Sequence, residues 1–204
     1  MEASSANAPT VIIDSGGANL ASLQFAFERL GAQTCVSADP AAIAAAARVV
    51  LPGVGSARDA MQRLRKSGLA EVLPRLTQPV LGICLGMQLL FRHSEEGSTD
   101  CLGILPDEVR RLKPAAGRPV PHMGWNQIVP AGGDPLLEGV AANDYVYFVH
   151  SYAAPVSRLT LATADYGIAV SAVVRRDNFW GTQFHPERSA ETGALILANF
   201  LRLK

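Results

Sequence analysis

Cys84 stands in Gly82-Ile83-Cys84-Leu85-Gly86, where a short apolar run gives way to a helical pattern. A nucleophile with glycines two residues away on either side fits a tight strand-to-helix turn. The glycines answer crowding, since a side chain at either position would collide with neighbouring elements. At a helix N-terminus the dipole favours negative charge on the sulfur. The Leu85 N–H is left without a helical partner and can donate to an oxyanion. The same pentapeptide also suits a buried cysteine whose glycines serve packing alone. His185-Pro186-Glu187 adds a second constellation. Proline disfavours helix at the residue before it, so His185 is expected to be extended. In an extended segment residues i and i+2 project to one side about 6.6 Å apart. The Glu187 carboxylate can span much of that gap and orient the imidazole. A thiol, an imidazole and a carboxylate are the parts of nucleophilic acyl chemistry. A charged pair at a surface strand end is the structural alternative. The apolar run before His185 and the helical pattern after Ser189 place the pair at a cleft edge.

The elements that must hold these groups alternate in the first half. Thr10 to Ile13, Thr34 to Val36, Val49 to Leu51 and Val80 to Ile83 read as buried strands, the third cut by Pro52-Gly53. Between them lie helical patterns at Leu20 to Leu30, Ala41 to Ala47 and Ala57 to Leu64, and Leu85 to Phe91 begins another. Alternation of this kind predicts an α/β fold, an open and mostly parallel sheet with helices on both faces. From about residue 108 to 183 strands follow one another: Val109–Leu112, Gln127–Val129, Val146–Val149, Leu159–Thr163, Ala169–Val174 and Trp180–Phe184. That predicts an antiparallel extension. Ala190 to Leu201 closes as a helix, with Ser189 as N-cap and Leu197, Phe200 and Leu201 as its buried face. Residues 1–9 read as a frayed tail, and residues 10–204 as one domain.

Composition narrows the function classes. Of 204 residues, 49% are apolar and 18% charged, and the formal net charge is zero. A balanced charge argues against broad electrostatic binding to nucleic acid or an anionic membrane. The longest uncharged run, Leu76 to Phe91, falls short of the ~20 residues of a membrane span and contains Pro79, Gly82 and Gly86. Cys35, Cys84 and Cys101 are widely spaced and include no CxxC pair, which points to a reducing cytoplasm. Cys35 and Cys101 read as packing residues. His93, His122 and His150 show no ligand spacing, so no metal site is expected. Gly16-Gly17 lacks the G-x-G-x-x-G pattern of a dinucleotide loop.

Gly82-Ile83-Cys84-Leu85-Gly86-Met87-Gln88, taken with Gln183-Phe184-His185-Pro186-Glu187, resembles the class I glutamine amidotransferase family. The resemblance implies Cys84, His185 and Glu187 as a triad, glutamine as substrate, a glutamyl thioester, no cofactor and no metal. Pro52-Gly53-Val54-Gly55, Pro121-His122-Met123-Gly124-Trp125-Asn126 and Phe148-Val149-His150-Ser151-Tyr152 are similar to one branch of it. That branch supplies ammonia to a cyclase making imidazole glycerol phosphate in histidine biosynthesis, and forms a heterodimer with that synthase subunit. The similarity runs from about residue 11 to the C-terminus. It implies oxyanion donors at Val54 and Leu85, and glutamine contacts from Gly55, Gln88, His150, Ser151 and Tyr152. It also implies a partner face at Trp125 and Asn126. Ser15 and Ala18 depart from the pattern, which has Tyr and Gly there. A glutaminase for an anthranilate or aminodeoxychorismate synthase, or a non-catalytic binding subunit, are the competing readings.

Overall fold

The computed structural model describes residues 9–14 and 20–204. The expected tail, Pro9 apart, and the departures at Ser15 and Ala18 lie outside the described residues. In chain order the elements are β1 (Thr10–Ile13), α1 (Leu20–Arg29), β2 (Thr34–Ser37), α2 (Pro40–Ala44), β3 (Arg48–Gly53) and α3 (Ala57–Lys66). Next come α4 (Leu69–Val72), β4 (Val80–Cys84), α5 (Leu85–Leu89), β5 (Phe91–Ser94), β6 (Thr99–Asp100), β7 (Leu105–Arg111) and β8 (His122–Pro130). The chain ends with β9 (Asp144–His150), β10 (Tyr152–Ala153), β11 (Thr160–Asp165), β12 (Ala169–Arg176), β13 (Phe179–Thr182) and α6 (Ala190–Arg202).

Nine strands form one sheet in the order β2-β1-β3-β4-β13-β12-β11-β8-β9. The pairs from β2 to β13 are parallel, and those from β13 to β9 antiparallel. A second sheet, β10-β7-β5-β6, lies beside it. The fold is therefore open α/β with an antiparallel extension, as the alternation predicts. Strand periodicity divides the core in two. Ile12, Val50, Leu81 and Ile83 pack with Phe27 of α1 and Phe200 of α6. Val11, Ile13, Val49, Leu51 and Val80 pack with Met61 and Leu64 of α3. Both faces of β1, β3 and β4 are covered, which is why these strands are continuous apolar runs.

Four expectations change. β3 runs through Pro52 to Gly53 rather than stopping before them. β1 pairs with β3 only as far as Val50, so one side of the ladder has ended where Pro52 lacks its N–H. The helix after Cys84 ends at Leu89, and Phe91 opens β5, paired with β7. A short apolar run buried all round does not reveal its period. Leu201 is half-buried, whereas Leu197 and Phe200 are in the core. Cys35 is exposed on the edge strand β2 rather than packed, while Cys101 is half-buried.

α5 and β3 approach each other backbone to backbone. A Cβ on Gly86 would sit 1.8 Å from the Leu51 carbonyl oxygen, and one on Gly82 would sit 2.7 Å from Gly86 O. The crowding inferred for the pentapeptide is therefore backbone crowding, which no rotamer change relieves. Gly86→Ala should destabilise the fold by about 3 kcal/mol or more, read as a large drop in thermal midpoint. An unchanged midpoint would contradict this packing.

Candidate active site

Cys84 ends β4 and precedes α5, with φ 53° and ψ −112°. Such a left-handed conformation is strained for a residue with a Cβ, and is held here by the strand before and the helix after. The turn leaves the side chain 8% exposed at the carboxyl end of the parallel strands. Leu85 opens α5, so its N–H has no partner within that helix. The Cys84 Sγ lies 3.7 Å from the Val149 carbonyl oxygen, to which the thiol donates.

His185 follows β13 in extended conformation, φ −98° and ψ 98°, as expected from the proline after it. Pro186–Arg188 then forms a 3-10 turn rather than a continued strand, and the turn closes the gap to the carboxylate. His185 Nδ1 and Glu187 Oε1 are 2.8 Å apart, with both side chains about nine-tenths buried. His185 Nε2 is buried without a hydrogen-bond partner. Burial lowers the imidazole pKa, but the Cys84 sulfur and the Glu187 carboxylate outweigh it and raise the pKa to about 10. The sulfur acts here by proximity, since its hydrogen bond is directed at Val149 and Nε2 is unpaired. The site therefore favours an imidazolium with its free N–H beside the Cys84 sulfur.

Ser189 occupies the N-cap position of α6 but does not cap the helix with its side chain. Its hydroxyl instead donates to His185 O at 2.6 Å and accepts the Tyr147 N–H at 2.9 Å. His185 N–H in turn donates to Tyr147 O at 3.0 Å. These bonds fasten the His185 turn to β9. Gly193 lets α6 press on that turn, because a Cβ there would lie 2.0 Å from Pro186 O.

A cavity of about 350 Å³ opens in front of Cys84 and His185. Val54, Gly55, Leu85 and Gln88 line it, as do His150, Ser151 and Tyr152. All the residues expected to bind substrate or an oxyanion thus surround one space. Gln88 is turned by two hydrogen bonds from its Nε2, to Tyr152 O at 2.8 Å and Gln183 Oε1 at 3.0 Å. Gly55 has φ 86° with open space around it, whereas Gly53 is pressed against Gly86 N, 2.6 Å from a notional Cβ. Trp125 and Asn126 lie outside the cavity lining, on opposite faces of β8. Trp125 is 53% exposed and meets Tyr147 edge to face at 6.0 Å. With Met123, Val129 and Tyr145 it forms an exposed apolar face on β8 and β9. Asn126 turns inward, where its amide donates to Asp165 O at 2.8 Å.

Sequence reasoning missed Glu96, the carboxylate on the cavity wall. Its Oε2 accepts the Ala57 N–H at 2.8 Å, at the start of α3. Nothing in Ser94-Glu95-Glu96-Gly97 distinguishes it from an ordinary acidic turn. Gln183 has no role expected from its sequence position. A glutamine that is 0% exposed beside His185 is the signal that would have found it. Among the described residues no cluster of His, Cys, Asp or Glu is arranged to hold a metal ion. Among them, too, no helix is long and apolar enough to cross a membrane.

The strained elbow, the imidazole–carboxylate pair and the cavity in front of them lie at the carboxyl end of the parallel strands of an open α/β sheet. Residues 11–203 match the family described as glutamine amidotransferase class-I, and the chain belongs to that family. It is 56% identical over 192 residues to the imidazole glycerol phosphate synthase subunit HisH of Xanthomonas campestris pv. campestris (strain 8004), covering 94% of this chain and 96% of that one. The HisH subunit of Xylella fastidiosa (strain Temecula1 / ATCC 700964) is 54% identical over the same coverage. The glutaminase domain of Trypanosoma brucei CTPS shares the fold, with TM-score 0.67 at 14% identity over 97% of this chain and 95% of that one. PurLQS from Thermotoga maritima does so with TM-score 0.71 at 16% identity, over 95% and 98%.

The histidines set a pH dependence. Burial first, and neighbouring histidines for His150, hold His122 and His150 at about 4. The unfolded chain takes up these two protons below about pH 6.5, and the folded protein does so only near 4. Their effect on stability is therefore absent above that range and grows as pH falls through it. His185 has the opposite sign. Its contribution is complete below about pH 6.5 and is lost as pH rises through 10. The urea midpoint should consequently be lower at about pH 4.5 than at about 6.5. A midpoint that stays level between them would contradict the neutral burial of this pair.

Proposed function

We propose that this chain is the glutaminase subunit of an imidazole glycerol phosphate synthase. On this reading it forms one domain from residue 10 to 204, works in the cytoplasm, and delivers ammonia to a cyclase subunit in a heterodimer. The observation that carries the reading is the elbow cysteine beside a buried His185–Glu187 pair, in a chain 56% identical to a HisH subunit along nearly its whole length.

Cys84 is the nucleophile. Its thiolate attacks the side-chain carboxamide carbon of glutamine, and the Leu85 and Val54 N–H groups hold the oxyanion. His185 gives its Nε2 proton to the departing nitrogen, the C–N bond breaks, and ammonia leaves a glutamyl thioester. Neutral His185 then takes a proton from water, which attacks the thioester and releases glutamate and the thiol. Glu187 orients the ring and stabilises its charged form. Gly55, Gln88 and the His150, Ser151 and Tyr152 segment shape the glutamine cavity. Glu96, the carboxylate on its wall, is suited to the α-ammonium of the substrate. The exposed face around Trp125 is suited to the cyclase, with Asn126 supporting it from behind.

Cys84→Ala should abolish glutamate release while the fold and partner binding persist, because the change is small. A glutamyl adduct on that variant by mass spectrometry would contradict the assignment. His185→Ala should lower turnover by roughly 10²–10⁴, and Glu187→Gln by less, since a neutral acceptor still orients the ring. Control by the partner would act through the Val54 segment. Gly53 and Gly55 flank Val54, and glycine reaches φ > 0 without a steric penalty, so reorientation of the Val54 N–H is inexpensive. Glutamate release by the isolated subunit should be slower than in the ligand-saturated cyclase complex by about 10²–10³, the effect of one oxyanion donor. Equal rates would exclude that switch and leave the glutaminase in place.

A further inference from the structure

His122 and His150 stand directly opposite each other where β8 pairs with β9. Both are buried, at 3% and 5% exposure. The chemistry above has no use for His122. The hydrogen bonds around the pair nevertheless run in one consistent direction. A backbone carbonyl only accepts, so His150 Nδ1, 2.8 Å from Tyr152 O, carries the proton. In the neutral ring Nε2 is then an acceptor, and His122 Nδ1 at 3.0 Å must be its donor. His122 Nε2 is left as an acceptor facing the Asn126 amide at 3.4 Å. Asn126 is itself oriented, with Nδ2 donating to Asp165 O and Oδ1 accepting the Gln127 N–H, both at 2.8 Å.

The ring of His122 is also fixed in plane. Tyr166 stacks on it at 3.9 Å between centroids and Phe148 at 4.7 Å. At the other end of the chain of bonds, the Tyr152 carbonyl accepts from His150 and from Gln88 Nε2. The second Gln88 donor goes to Gln183, so only Gln88 Oε1 is left to face the cavity. The low pKa of both histidines is consistent with two neutral rings.

We propose that His122 is a positioning residue for glutamine binding: its Nδ1–H fixes the tautomer of His150, which holds the Tyr152 carbonyl and thereby Gln88 and the 150–152 wall of the cavity. This deepens the glutaminase reading and rests on it. Without the His122 donor, His150 Nε2 becomes an orphaned buried acceptor. The ring is then free to rotate toward another donor and so to abandon Tyr152 O. The substrate wall loosens, while Cys84, His185 and Glu187 stay as they are. The expected signature is therefore in KM rather than kcat.

Two substitutions separate hydrogen bonding from packing. His122→Phe keeps an aromatic ring between Tyr166 and Phe148 but has no donor. His122→Asn loses the stack but places an amide donor near the Nδ1 position. In the ligand-saturated cyclase complex, His122→Phe should raise KM for glutamine roughly ten-fold, with kcat within about three-fold of wild type. His122→Asn should recover most of the lost affinity. An unchanged KM in His122→Phe, or a larger defect in His122→Asn than in His122→Phe, would overturn the inference. Should His122→Phe fail to fold, nitrogen NMR of the imidazoles in the wild-type chain decides the matter. Both rings are expected as the Nδ1–H tautomer, and an Nε2–H tautomer at His150 overturns the proposal. A wild-type complex that releases no glutamate overturns the underlying reading and the inference with it. An active wild type beside an unaffected His122→Phe overturns the inference alone.

Discussion

The backbone of α5 rests on the backbone of β3, with Gly86 against the Leu51 carbonyl and Gly53 against the Gly86 amide. This contact sets the height at which the helix leaves the sheet, and the rest of the site depends on it. With α5 this close, the chain has to turn sharply between Ile83 and Leu85, and Cys84 takes a positive φ to do so. The strain is retained because β4 is paired on both sides, with β3 and β13. A cysteine on a relaxed turn would have more rotamers and a less defined direction for its sulfur.

The same contact brings the Val54 segment beside the start of α5. Val54 and Leu85 thereby border one cavity with Cys84. Clamping Gly53 while leaving Gly55 in open space gives the segment a fixed end and a movable one. Close packing and open space are adjacent in this segment.

On the far side of the cavity, β9 plays the complementary part. It receives the His185 turn through Ser189 and Tyr147, carries His150 at its end, and shows Tyr145 to solvent. Alternation along β8 and β9 separates two kinds of work. Met123, Trp125 and Tyr145 face outward as an apolar surface, while His122, Asn126 and His150 face inward as a polar chain of hydrogen bonds. An exposed apolar surface and an inner polar face beside the cavity are two sides of one ribbon.

Local rules on the sequence were enough for several elements. Continuous apolar runs separated by helical stripes identified the parallel half of the sheet, because strands covered on both faces have no polar positions. The glycines around Cys84 and the proline after His185 identified the two candidate segments, since glycine permits close backbone approach and proline restricts the residue before it. Resemblance to the family then carried the sequence to Gly55, Gln88 and the 150–152 segment. Tertiary structure decided the rest. The end of α5 at Leu89 depends on β7 being available to pair with β5, which no local pattern encodes. Glu96 reaches the cavity only because its turn folds onto the start of α3. Ser189 looks like a helix cap in sequence, yet β9 lies close enough to take its hydroxyl. His122 and His150 are 28 residues apart, and only the register of β8 against β9 makes them a pair. Sequence reports what each backbone segment can adopt, whereas the partner of a polar side chain depends on which segments meet.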